Sequence, residues 1–200
     1  LDYLGIYTDQ SELDEYTVVN QIPQLGDAKY RDASEDGNIS EGDDRDIVGD
    51  PNPGLLYGFN FNAYWRSFDF SIFIQGVQGR DAFNAIKYAM NTSPITSYTG
   101  DYDAYIDGVG TEPRPTADFG HPNGIASSLF VEDASYLRLK NIRIGYEIPW
   151  ARVSNFSVFL DGQNLLTFTK YSGMDPEFES DILAPGVDWG GFPNVRTFSA

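Results

Sequence analysis

Between Gly26 and Asp43 the chain reads GDAKYRDASEDGNISEGD, and its oxygen-bearing side chains recur at intervals suited to a hard cation. With Asp32 as position 1, side-chain oxygens fall at 1 (Asp32), 3 (Ser34), 5 (Asp36), 9 (Ser40) and 12 (Asp43). Asn38 at position 7 would ligate through its carbonyl, and Gly37 at position 6 allows a sharp turn. This is the spacing of an EF-hand loop, in which hard oxygen donors surround Ca2+. Ile39, at position 8, is expected to pack inward. Two positions depart from the pattern: Ser34 stands where Asp or Asn is usual, and Asp43 is shorter than the bidentate Glu. No strong helices flank the loop, and an acidic Asp-Gly turn without metal reads from the same residues. The expectation is a structural calcium held by Asp32, Ser34, Asp36, Asn38, Ser40 and Asp43, within an acidic loop spanning 26–50.

Other chemistry is sparse. Carboxylates are so numerous that almost any pair could be nominated as a glycosidase acid and base, so the signal has no specificity. No GxSxG, P-loop or HExxH sequence occurs. There is no Cys, hence no disulfide and no thiol nucleophile. The one His, His121, precedes Pro122-Asn123-Gly124 and reads as a turn residue. Tyr98, Tyr102, Tyr105 and Phe119 recur among Asp101, Asp103 and Asp107, an arrangement that would suit sugar rings or simply anchor a loop. The chain is expected not to be an enzyme.

The elements that carry these residues read as strands. Pro53–Gly79 alternates: Tyr57, Phe59, Phe61, Ala63 and Trp65 share one parity, and Gly58, Asn60, Asn62 and Tyr64 the other. After Arg66-Ser67, Phe68, Phe70, Ile72 and Ile74 oppose Asp69, Ser71, Phe73 and Gln75. Side chains alternate across a strand, so this is a hairpin with one apolar and one mostly polar face. Each arm is close to the roughly 9–11 residues a tilted strand needs to cross a bilayer. Tyr57, Trp65 and Phe68 load the ends of the apolar face with aromatics, as in the girdle of an outer-membrane barrel. A soluble sandwich would instead cover that face with a second sheet.

Ser135–Ile148 is a further strand, with Ile142, Ile144, Tyr146 and Ile148 on one parity but Leu137 and Leu139 on the other. A bulge or change of face near Lys140 is expected. Strands follow at Phe156–Leu166 and from Phe192, while Leu1–Asp9 reads as a weak strand end. Ser11–Asp14 reads either as a short helix capped by Ser11 or as an acidic loop, and a short helix capped by Asp81 is expected at Asp81–Met90. Connections alternate between short (Arg66-Ser67, 149–155) and long (80–134, 167–191), the habit of barrels with short turns at one rim and long loops at the other. Composition agrees: 200 residues carry a formal net charge of -17, concentrated between strands, which leaves no basic groove for nucleic acid. The N-terminal stretch has neither the basic nor the apolar segment of a signal peptide, and no apolar run is long enough for a membrane helix.

Four stretches together resemble the C-terminal region of the SusC/RagA family of TonB-dependent transporters. They are GDAKYRDASEDGNISEGDDRDIVGDPNPGLLYGFNFNAYWRSFDFSIFIQGVQG, VEDASYLRLKNIRIGYEIP, NFSVFLDGQNLLTFTKYSGMDPE and FPNVRTFS. The resemblance implies an all-β fold, a portion of a transmembrane antiparallel β-barrel of about 22 strands. It also implies location in the outer membrane, among lipid, and import of glycan or peptide fragments. A SusD-like surface lipoprotein would lid the barrel, and TonB would energise it through an N-terminal part not present in these residues. The chain then reads as the last quarter or fifth of the barrel, with the final strand continuing past Ala200, and residues 1–200 alone are expected to aggregate. The acidic loop and both long connections would lie on the extracellular side, where calcium would stiffen a loop near the lid. The alternative from the same strands is a secreted calcium-dependent carbohydrate-binding β-sandwich module.

Overall fold

The computed structural model describes residues 1–13, 17–19, 21–92, 104–116, 118, 120–149 and 156–200. Among them the strands, in chain order, are β1 (Tyr3–Ile6), β2 (Thr17–Val18), β3 (Ala28–Tyr30), β4 (Asn38–Ile39), β5 (Leu55–Trp65), β6 (Phe68–Gln78) and β7 (Asp81–Asn84). The helix α1 (Ala85–Thr92) follows, then β8 (Val131–Asp133), β9 (Tyr136–Glu147), β10 (Ser157–Thr169), β11 (Val187–Asp188) and β12 (Thr197–Ser199). The chain divides into two compact units: residues 1–50, 82–132 and 187–189 form one, and 51–81, 133–186 and 190–200 the other.

The second unit is an antiparallel sheet in the order β12-β10-β9-β6-β5. Its hairpin strands β5 and β6 are 11 residues each and pair without interruption from Leu55↔Gln78 to Trp65↔Phe68. Arg66 takes a left-handed φ of 55°, which lets a two-residue turn without glycine match the twist of its flanking strands. The sequence reading of a hairpin there is borne out.

The expected irregularity at Lys140 is a bulge. Asn141 pairs with Phe73 and Leu139 with Ile74, so Lys140 is the extra residue against β6. Against β10, Asn141 faces Gln163 and Leu139 faces Leu166. Asn164, in the same irregularity, has φ 52°. One inserted residue inverts parity. Leu137 and Leu139 therefore share a face with Ile142, Ile144 and Tyr146, although their numbers alternate the other way.

At the opposite end of the hairpin, a Cβ on Gly76 would lie 2.2 Å from Cζ of Tyr57, so this ring sits where a side chain would stand. Gly76→Ala should displace the ring and destabilise the intact protein by about 1–3 kcal/mol, the range for overpacking. In a Tyr57→Ala background the same change should cost under about half that, as read from denaturant midpoints; equal costs in both backgrounds would refute the ring-on-glycine contact.

The first unit is built from short pairings: β1 with β3 antiparallel, β2 with β4 parallel, and β11-β7-β8. Its core gathers Leu1, Val18, Ala28, Tyr30, Ile39 and Ile125. Ile39 is 0% exposed, the inward packing read from position 8 of the acidic loop. Two helix starts differ from expectation. Asp81 opens β7, and α1 begins after Asn84, whose Oδ1 accepts the N–H of Lys87 at 2.9 Å. The Asp-Ala-Phe-Asn run alternates in burial and pairs with β11, and this tertiary pairing overrides the local cap signal. Near the N-terminus a 3-10 turn covers Gln10–Glu12 and is capped by Asp9, which accepts the Ser11 N–H at 2.9 Å; Ser11 is inside the turn. Asp14, Tyr98, Asp101, Tyr102, Asp103 and Phe119, and residues 150–155 of the expected short connection, lie outside the described residues.

Candidate functional site: a two-faced strand wall and an acidic loop

Register places the side chains of the large sheet in rungs. On one face run Trp65–Phe68–Tyr146–Val158, Ala63–Phe70–Ile144–Leu160, Phe61–Ile72–Ile142–Gly162, Phe59–Ile74–Leu139–Leu166 and Tyr57–Gly76–Leu137–Phe168. Every side chain on this face is apolar or aromatic, yet the face is open: Phe59 is 59% and Phe61 45% exposed, and Leu160, Leu166 and Phe168 are exposed as well. Phe70 and Ile72 are half-buried. These are not core residues between stacked sheets. Aromatic contacts mark one end, where Phe68 stacks on Trp65 at 6.3 Å and tilts on Tyr146 at 4.6 Å.

The opposite face is mostly polar, with rungs Tyr64–Asp69–Gly145–Phe159, Asn62–Ser71–Arg143–Asp161, Asn60–Phe73–Asn141–Gln163 and Gly58–Gln75–Arg138–Thr167. Asn60, Asn62, Asp69, Ser71, Gln75, Asp161 and Gln163 all fall here. Asp161 accepts from Nδ2 of Asn141 and from Nε2 of Gln163, and the Arg143 guanidinium lies 4.6 Å from the centroid of Phe159.

Sequence reading missed the most buried charged group of this wall. Arg138 is 2% exposed and donates from Nε to Thr167 Oγ1 at 2.9 Å, from Nη1 to Glu177 at 2.7 Å, and from Nη2 to Asp175. Lys140, the bulged residue, donates to both Glu177 oxygens at 2.8 and 2.6 Å. Asp175 also accepts the Glu177 N–H at 2.9 Å and the Asn194 N–H at 2.8 Å. Two cations thus face two carboxylates, and every oxygen of Asp175 is engaged. The partners lie 37 residues from Arg138 and Lys140 or farther, so no local pattern announced them.

In the acidic loop, Asp32 Oδ2 accepts the Gly37 N–H at 2.8 Å, joining positions 1 and 6, and Gly37 has the left-handed φ of 81° that its turn requires. Asp32 Oδ1 accepts from Glu35 N at 2.7 Å and Ser34 Oγ at 3.2 Å, Asp36 Oδ1 from Asn38 N at 2.8 Å, and Asp43 Oδ2 from Ser40 Oγ at 3.2 Å. Among the described residues no three acidic or histidine groups converge closely enough to enclose an ion. The loop closes on Asp44, one residue past the expected last ligand. Its buried carboxylate accepts N–H groups from Ala33 and Ser34 at 2.9 Å and from Ser40 at 2.7 Å. Burial opposes its charge, but the N–H groups of Ser40, Ser34 and Ala33 outweigh that and hold its pKa below the usual carboxylate value. The doubled Asp43-Asp44 was the one sequence signal that could have pointed to it.

No family model matches the chain. Individual proteins do. TonB-dependent receptor P26 of Formosa agariphila is 32% identical over 98% of this chain and 21% of its own length. TonB-dependent receptor SusC of Bacteroides thetaiotaomicron is 26% identical over 84% of this chain and 17% of its own length. Among solved structures, the RagAB peptide importer in its 'open-open' state superposes with a TM-score of 0.68 over 98% of this chain and 21% of that chain, at 21% identity. The chain thus spans about a fifth of the length of the relatives it matches. A strand wall with an open apolar face and a polar face is one segment of a receptor barrel. With the matches running along nearly the whole of these 200 residues, the chain belongs to the SusC/RagA-like family of TonB-dependent receptors and is an outer-membrane protein.

Proposed function

We propose that the whole protein, of which these residues are a part, imports glycan or peptide fragments across the outer membrane. TonB would energise this import, and a SusD-like surface lipoprotein would work with the barrel. The observation that carries this reading is the division of the sheet: the Phe59/Phe61 face open and apolar, and the Asn60/Asn62 face polar. A barrel solvates the first in hydrocarbon and the second in its interior water, and moves cargo without making or breaking bonds. The relatives are named as receptors, and RagAB as a peptide importer, not as enzymes. A soluble calcium-dependent sandwich is disfavoured because it would bury the very groups that are exposed. Deleting the gene in its host should abolish uptake of one glycan or peptide class, and loss of TonB should do the same. Wild-type uptake of every such fragment without the receptor would overturn the reading.

We further propose that the acidic loop takes a structural Ca2+ through Asp32, Ser34, Asp36, Asn38, Ser40 and Asp43. The oxygen-only donor set and the large negative charge support a hard cation. Binding would require the three carboxylates to turn from their N–H and hydroxyl donors toward one point. Isothermal titration of the intact receptor should show one calcium site that Asp32→Asn weakens at least tenfold; no heat at millimolar calcium would remove the ion.

A further inference from the structure

The connection between β10 and β12 does not simply loop away from the sheet. Arg138 lies two residues inside the Tyr136 end of β9, about 7 Å down the wall at the usual strand rise. There it grips Asp175 and Glu177 on the polar face. On its return the chain rejoins the sheet with Thr197 opposite Gln163, six residues from the Thr169 end of β10, or about 20 Å down the wall from that same end. Asn194 ties this return arm to the outgoing one: its backbone N–H and Nδ2 both donate to Asp175, at 2.8 and 3.2 Å. By contrast Ile182 and Leu183, between the two arms, are 93% and 92% exposed.

We propose that the stretches Tyr171–Glu177 and Phe192–Val195 form a strap fixed to the polar wall, so that the cargo of the import reading meets this strap as part of the barrel interior rather than as a lid that swings aside. The inference rests on that import reading for what passes the strap, but not for its attachment. Four charges of balanced sign, all hydrogen-bonded around a nearly inaccessible guanidinium, resist being pulled apart. Freeing the outgoing arm would leave Arg138 with Thr167 but no carboxylate in a poorly hydrated place, and freeing the return arm would take both Asn194 donors from Asp175 Oδ2.

Hydrogen exchange of the full-length receptor in detergent tests this. The Glu177 and Asn194 amides, which donate to Asp175, should be protected to within about tenfold of the β9 amides. Asp175→Asn should speed both at least tenfold while leaving β9 and β10 unchanged. As a measurement needing no variant, carbodiimide treatment should condense Lys140 with Glu177 into an amide detectable by peptide mass spectrometry. Free-loop exchange at Glu177 and Asn194 in the wild type, or no 140–177 cross-link, would overturn the strap whatever the receptor carries. A receptor found to import nothing would leave protected amides in place and sink only the import reading.

Discussion

Replacing Arg138 by methionine should destabilise the intact receptor by about 3–5 kcal/mol, the cost of removing one partner from a buried ion pair. The side chain volume is nearly kept, so the loss is electrostatic. Asp175 and Glu177 would keep the N–H of Glu177, the amide groups of Asn194 and the ammonium of Lys140, but lose their shared guanidinium. Changing the carboxylates along with the arginine, in Arg138→Met/Asp175→Leu/Glu177→Leu, should recover much of the loss, because apolar replacements of a whole buried ionic cluster are often near neutral. Equilibrium unfolding of the full-length receptor in lipid vesicles reads both. An Arg138→Met receptor as stable as wild type would show that the network is solvated and contributes little.

The second expected effect separates the two faces using neighbouring residues. Phe61→Arg should cost about 2–4 kcal/mol, the range for arginine near the midplane on the lipid side of a membrane barrel. Phe61 sits in the middle rung of the apolar face, with Ile72 and Ile142 beside it. Asn60→Arg, one residue away on the polar face and in a rung with Phe73, Asn141 and Gln163, should cost less than about 1 kcal/mol, since its charge meets water. The same vesicle unfolding assay decides. Equal costs at the two positions would mean that lipid does not cover the Phe61 face, and the outer-membrane assignment of these strands would fail.

The bulge shows how far local reading reaches. Two parities of apolar residues, Leu137/Leu139 and Ile142/Ile144, cannot occupy one face of a regular strand, so the residue pattern calls for a bulge or a change of face near Lys140, and the strand register makes it a bulge. The cap of α1 shows where such reading stops. Asp81 and Asn84 are both good caps, and the choice fell to Asn84 only because β11, a hundred residues on, pairs with β7.

What the sequence determined alone was therefore everything set by backbone pleat and short spacing: the hairpin, the faces of its residues, the irregularity near Lys140, the inward Ile39 and the all-β class. Strand side chains alternate whatever surrounds them, so these features survive without tertiary information. The tertiary structure decided which distant groups meet. It placed Asp44 rather than Asp43 at the centre of the acidic loop's N–H bonds, and it brought Asp175, Glu177 and Asn194 back onto Arg138. Such charge pairs depend on where a long connection returns, and residue spacing along the chain carries no record of that path.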